Sequence, residues 1–132
     1  MLLLVLIVSL FACVAAFSGV RSGHKRLGTH FLSMISKGIE VIRATDVTEE
    51  MLTSQSIKTW PTWGCDASTF PWSYDSTETC YLLKGDVTVK PDDSSLEEVS
   101  FSKGDIVTLP KGMSCTWIVK EAVLKHYNFA ND

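Results

Sequence analysis

Residues 101–129 read FSKGDIVTLPKGMSCTWIVKEAVLKHYNF, a series of short runs punctuated by turn residues. Short apolar runs lie at 106–109, 113–119 and 123–129; Lys103-Gly104-Asp105 precedes the first, and Pro110-Lys111-Gly112 separates it from the second. Apolar and polar residues alternate within the longer runs, as in a strand with one buried face, and the Gly and Pro positions suit tight turns. Strands this short, repeated at this spacing, predict an all-β sandwich or barrel.

Upstream, residues 60–89 read WPTWGCDASTFPWSYDSTETCYLLKGDVTV. Strands are predicted over 57–63 and 65–72, with a bulge or corner at Gly64. The run 77–83 enters Lys84-Gly85-Asp86 and 87–90 returns from it, which predicts a hairpin with Gly at the position of positive φ. A second hairpin is expected at Pro91-Asp92-Asp93-Ser94, leading to 98–101, and a first strand over 38–43. One helical turn or two is expected from Glu49 to Leu52, with Asp46 as the N-cap acceptor. Trp60, Trp63, Trp72 and Trp117 all fall on predicted strands. Each can bury ~150–250 Å², enough to give a small single domain its core.

The first third of the chain differs from the rest. Residues 1–16 hold an unbroken apolar run, LLLVLIVSLFACVAA, shorter than the roughly 20 residues of a membrane span and ending in small side chains. It reads as a signal peptide, with an uncleaved anchor over residues 2–16 as the alternative. Residues 17–37 contain Arg21, Lys25, Arg26 and Lys37 but no acidic residue, which is transit-peptide composition. Together they resemble the bipartite presequence of algae with secondary plastids, implying entry through the secretory pathway and a plastid destination. A secreted protein with a basic, unstructured start is the other reading.

Eight Lys and Arg remain in 38–132 against all fifteen acidic residues, a net charge of −7. An acidic domain without a basic patch disfavours nucleic acid as a partner. Once a signal is removed, nothing in 38–132 calls for stable membrane association. Cys65, Cys80 and Cys115 form an odd set outside the signal and match no zinc spacing, so free thiols are expected. No phosphate-binding glycine loop occurs.

The turn spacings carry a resemblance. Glu78 stands seven positions before Gly85, and Gly104, Pro110 and Gly112 fall as in the second motif of cupins. With the two segments quoted above, residues 38–132 resemble the small single-domain cupins of the (S)-ureidoglycine aminohydrolase cupin-domain family. That resemblance implies an RmlC-like jelly-roll β-barrel and a small polar, nitrogenous metabolite as substrate. Carried across residue by residue, the two histidine positions of the first motif fall on Trp72 and Tyr74, and that of the second on Cys115. Only Glu78 keeps a ligand type. His126 is the sole histidine of 38–132, so a three-histidine metal site cannot be built.

Two uses of these residues stay open. Glu78 and Cys115, with His126, could hold iron, manganese or zinc, although their spacing is no metal signature. Without a metal, a Glu78 carboxylate enclosed by aromatic faces could work as a general acid or base. Cys115 would then be a nucleophile only if Lys125 or His126 lowered its pKa, with Tyr74 beside it. The candidate catalytic residues are therefore Glu78, Cys115 and Tyr74, and the candidate ligand-binding residues Trp72, Trp117, Lys125 and His126. The competing function is a non-catalytic binding or sensing module for a small molecule. An open edge at 38–43 would permit a homodimer.

Overall fold

The computed structural model describes residues 38–131. The signal peptide read over residues 1–16 and the basic presequence read over residues 17–37 lie outside the described residues.

Seven strands and a short helical segment follow one another in this region. They are β1 (Glu40–Ile42), α1 (Glu49–Ser54), a 3-10 turn (Ile57–Thr59), β2 (Thr62–Cys65), β3 (Ser68–Ser73), β4 (Glu78–Pro91), β5 (Val99–Ser102), β6 (Ile106–Leu109) and β7 (Ser114–Phe129). Among the described residues no helix is long and apolar enough to cross a membrane. Every strand pairing is antiparallel.

Two long strands organise the barrel. β4 and β7 pair along nearly their whole lengths, from Glu78 opposite Phe129 to Pro91 opposite Cys115. Their outer edges each serve two shorter strands. The first part of β4 pairs with β6 and its second part with β5, while β7 pairs first with β3 and then with β2. The ribbon thus passes from one wall to the other, as a jelly roll requires. The passage is made by register shifts between Leu82 and Val87. Gly85 sits there with φ of +112°, a conformation that disfavours side chains, so the turn expected at Lys84-Gly85-Asp86 is instead a bulge inside a continuous strand. The break expected between 119 and 123 is likewise absent, because β7 runs on opposite the bent β4.

Alternation then sorts the side chains. Along β4, Glu78, Cys80 and Leu82 point inward and are buried; along β7, Cys115, Trp117, Val119, Val123 and Lys125 do the same. These residues, with Val107 and Leu109 of β6 and Phe101 of β5, line or fill the barrel. A second, smaller cluster forms outside it, where Leu52 and Ile57 cover Ile106 and the partly buried Tyr81 and Trp60 pack against them. The helix is thus an external cap. Its N-cap is Thr48 rather than Asp46: Thr48 Oγ1 accepts from the Met51 amide at 3.2 Å, while Asp46 closes the preceding turn onto Arg43.

Two further expectations change. The segment 57–63 is a 3-10 turn followed by a strand, since Trp60 closes that turn through a bond to the Ile57 carbonyl. Of the four tryptophans only Trp117 is fully buried, whereas Trp63 and Trp72 are exposed by 40% and 51%. The hairpin at 91–98 and the turns at 103–105 and 110–112 stand as expected, with Gly104 and Gly112 at positive φ. The buried Asp105 fixes the first of those turns, accepting from the Ser102 and Ala44 amides and pairing with Arg43 at 3.2 Å. Cys65, Cys80 and Cys115 are free, as their odd number implied.

Candidate functional site

The inward faces of β2, β3, β4 and β7 enclose a cavity of about 230 Å³. Trp63 comes from β2, Phe70 and Trp72 from β3, Glu78 from β4, and Trp117, Lys125, Tyr127 and Phe129 from β7; Tyr74 follows β3. The pairings explain why these residues meet. Phe70 faces Trp117 across β3 and β7, and Trp63 faces Lys125 across β2 and β7. Position parity then places Tyr127 and Phe129 on the same face as Lys125.

Trp117 is the centre of the aromatic wall. Phe70 stacks on it at 6.1 Å with 12° between the planes, and Trp63 and Phe101 meet it edge-on at 6.4 and 5.8 Å. Such edge and offset geometries are the favoured ones for aromatic quadrupoles. The indole nitrogen of Trp117 donates to the Tyr74 hydroxyl at 2.9 Å, so this buried donor is satisfied. Burial, and next the negative charge of Glu78, push the Tyr74 phenol well above its ordinary range, so it remains a neutral hydroxyl.

Two charged groups share the floor. Lys125 Nζ donates a hydrogen bond to Glu78 Oε1, and both side chains are about 95% buried. The ammonium also lies 4.7 Å from the Trp117 ring centroid, 5.4 Å from Trp63 and 5.9 Å from Tyr127, within the range of cation–π attraction. Glu78 Oε2 has no hydrogen-bond partner among the described residues. No fully buried polar side-chain atom there lacks a partner, so Oε2 is open to the cavity that Glu78 lines. The site therefore offers one partly engaged donor and one unengaged acceptor against aromatic walls.

The sequence-derived candidates separate in space. Glu78, Tyr74, Trp72, Trp117 and Lys125 meet at the cavity. His126 does not: one position along β7 from Lys125, it points to the outer face, where Nδ1 lies 2.8 Å from the Trp60 carbonyl oxygen. Cys115 is buried in the barrel core but is not among the cavity-lining residues. Burial first, then the charges of Asp92 and Glu78, raise its thiol to about 11, so it is neither an activated nucleophile nor a ready thiolate ligand. Of the two groups considered as activators of Cys115, Lys125 is bound to Glu78 and His126 faces the other way. Trp63, Phe70, Tyr127 and Phe129 were not anticipated as site residues. Alternation from Trp72 reaches Phe70 and alternation from Lys125 reaches Tyr127 and Phe129, whereas Trp63 enters through its non-local pairing opposite Lys125.

A metal of the cupin type does not fit this donor set. Among the described residues no three His, Cys, Asp or Glu side chains come together to hold one. Glu78, the retained ligand type, is engaged by an ammonium cation instead.

Comparison with known proteins decides the family. A family model described as EutQ-like cupin domain matches residues 52–127. This chain belongs to the EutQ-like cupin domain family. Among solved structures it is similar to a DUF861 family protein from Thermotoga maritima, with 41% identity over 70% of this chain and 99% of that one, and a TM-score of 0.64. It also matches the EutQ protein of Clostridium difficile at 24% identity, covering 50% of each chain with a TM-score of 0.45. A putative ethanolamine utilization protein Q from Salmonella typhimurium matches at 26% identity, over 50% of this chain and 51% of that one, with a TM-score of 0.45. The chain spans about half the length of these two EutQ proteins. No curated protein matches it. The cupin barrel expected from the turn spacings is thus the observed fold, and the family is the EutQ-like one.

Proposed function

We propose that this cupin binds a small molecule directly through its own side chains, with the Lys125–Glu78 pair standing where other cupins place a metal. The observation that carries this reading is the burial of that pair at the floor of an aromatic cavity, with hydrogen-bonding capacity on both members still unused by the protein. Concave, mostly apolar sites with a few convergent polar groups are the usual form of ligand pockets. The walls would hold an apolar or planar body, and the pair would fix one polar group.

The same pair supports a second reading, as an enzyme. An ammonium that can give a proton and a carboxylate oxygen that can take one are the components of general acid–base catalysis. Lys125 would polarise a carbonyl while Glu78 accepted a proton from the attacking water and passed it to the departing nitrogen, which leaves as ammonia as the C–N bond breaks. Hydrolysis of a small nitrogenous metabolite, as the resemblance to the ureidoglycine aminohydrolase cupins suggests, is the reaction class that fits. Cys115 has no part in it.

Native mass spectrometry of the purified protein tests the first reading. A retained small molecule, lost in Lys125→Met, is the expected result. Stoichiometric iron, manganese or zinc dependent on Glu78 would overturn it. Ammonia release from ureido or amide compounds, abolished in Glu78→Gln, would establish the second. We further propose a plastid destination for the chain, directed by residues 1–37, and a homodimer formed along the edge of β1.

A further inference from the structure

Resting on the reading of the cavity as a small-molecule site, we infer that its ligand is electrically neutral and planar, with a hydrogen-bond acceptor and an N–H donor side by side, as in a primary amide or a lactam.

Charge excludes the alternatives. An aromatic cage ordinarily invites a cation. Here the chain's own ammonium already lies against the Trp117, Trp63 and Tyr127 faces, so a cationic ligand would meet a like charge at the centre of the cage. An anion drawn to Lys125 would meet the Glu78 carboxylate hydrogen-bonded to it, forcing two negative groups onto one ammonium. In a site this buried, such juxtapositions are weakly screened.

Hydrogen bonding then selects the neutral class. An ammonium carries three donors, and Lys125 makes one hydrogen bond, to Glu78 Oε1. Glu78 Oε2 is an acceptor open to the cavity. An amide edge answers both at once: its carbonyl oxygen accepts from Lys125 and its N–H donates to Oε2. A cavity of about 230 Å³ lies below the ~300–1,000 Å³ typical of sites for drug-sized ligands, which suits a single ring or its equivalent.

Titration calorimetry of the full protein near neutral pH, with benzamide, benzoate, benzamidinium and toluene as probes of matched shape, tests this. Benzamide is expected to bind at least about tenfold more tightly than either ion and than toluene. Benzoate or benzamidinium binding as tightly as benzamide would overturn the inference while leaving the cavity as a ligand site. So would toluene binding as well as benzamide. Binding of none of the four would remove both the inference and the reading beneath it. In folded Glu78→Gln benzoate should gain most, and in folded Lys125→Met benzamidinium should; an unchanged rank order in either would count against the inference. If neither variant folds, the unmodified protein's rank order decides by itself.

Discussion

Lys125 reaches Glu78 along the barrel rather than across it. The cross-strand neighbour of Lys125 is Leu82, whereas Glu78 stands opposite Phe129 at the far end of the β4–β7 pairing. On the inward face of β4 the order is Glu78, Cys80, Leu82, so the lysine stem passes Cys80 to place its ammonium on the carboxylate. A charged pair is thereby held at the floor of an aromatic cavity, with the apolar stem packed in the core.

Removing one member should be costly. Lys125→Met leaves a buried carboxylate unpaired, and the expected loss is about 3–5 kcal/mol of unfolding free energy. Replacing both, as Lys125→Met with Glu78→Leu, should recover a large part of that loss. Urea denaturation of the two single variants and the double variant measures the coupling. Additive effects would show that the pair is not energetically joined.

The thiols should divide by exposure. Cys80 is wholly buried and raised to about 12, mainly by desolvation, and Cys115 is raised to about 11. Cys65 is only partly buried. Iodoacetamide should label Cys65 first in the folded protein, with Cys80 and Cys115 reacting only after unfolding. Peptide mapping would reveal early modification of Cys115 if its thiolate were available.

The same shifts give a pH dependence of stability. Unfolded cysteine titrates near ~8.5, so above about pH 9 the unfolded chain releases protons that folded Cys115 and Cys80 retain. Stability from these groups is fully present below that range and falls as the pH rises, by up to ~1.4 kcal/mol per unit for each thiol. For Cys115 the fall levels off as the folded thiol itself titrates near 11. Cys115→Ala should show a shallower decline between pH 9 and 11 in denaturant titrations. A decline as steep as that of the parent protein would assign it to other groups.

Much of this was legible from residue order, and the reason is local. Gly104, Pro110 and Gly112 fix turns through their own backbone chemistry, so the 103–113 region reads directly from the sequence. The bend of β4 did not. Lys84-Gly85-Asp86 has the composition of a hairpin, and only the pairing with β7, carried across the bend by register shifts, keeps the strand going through it. At the site, the carry-over of the cupin motif positions picks out Glu78, Trp72 and Tyr74, and all three line the cavity. The facing of Lys125 against His126 depended on the register with β2, which is set by non-local pairing. The long diagonal from Lys125 to Glu78 lies beyond any spacing rule.

The β4 bend can be tested at its glycine. A Cβ on Gly85 would lie 2.8 Å from Val123 Cα and 3.0 Å from the Ala122 carbonyl oxygen, whereas one on Gly112 would meet nothing within 4 Å. Both have positive φ, which costs an alanine ~1–2 kcal/mol. Gly112→Ala should therefore lose about that much, and Gly85→Ala distinctly more because β7 must move. Equal losses would show that β7 yields without cost at this point.

On the proposed reading, an ammonium–carboxylate pair stands in this cupin where others hold a metal. The most direct test of that reading is elemental analysis, together with thermal unfolding in the presence of added iron, manganese or zinc. The pair predicts metal far below one equivalent per chain and a melting temperature unmoved by any of the three ions. One bound equivalent, lost in Glu78→Gln and accompanied by a metal-dependent rise in melting temperature, would contradict it.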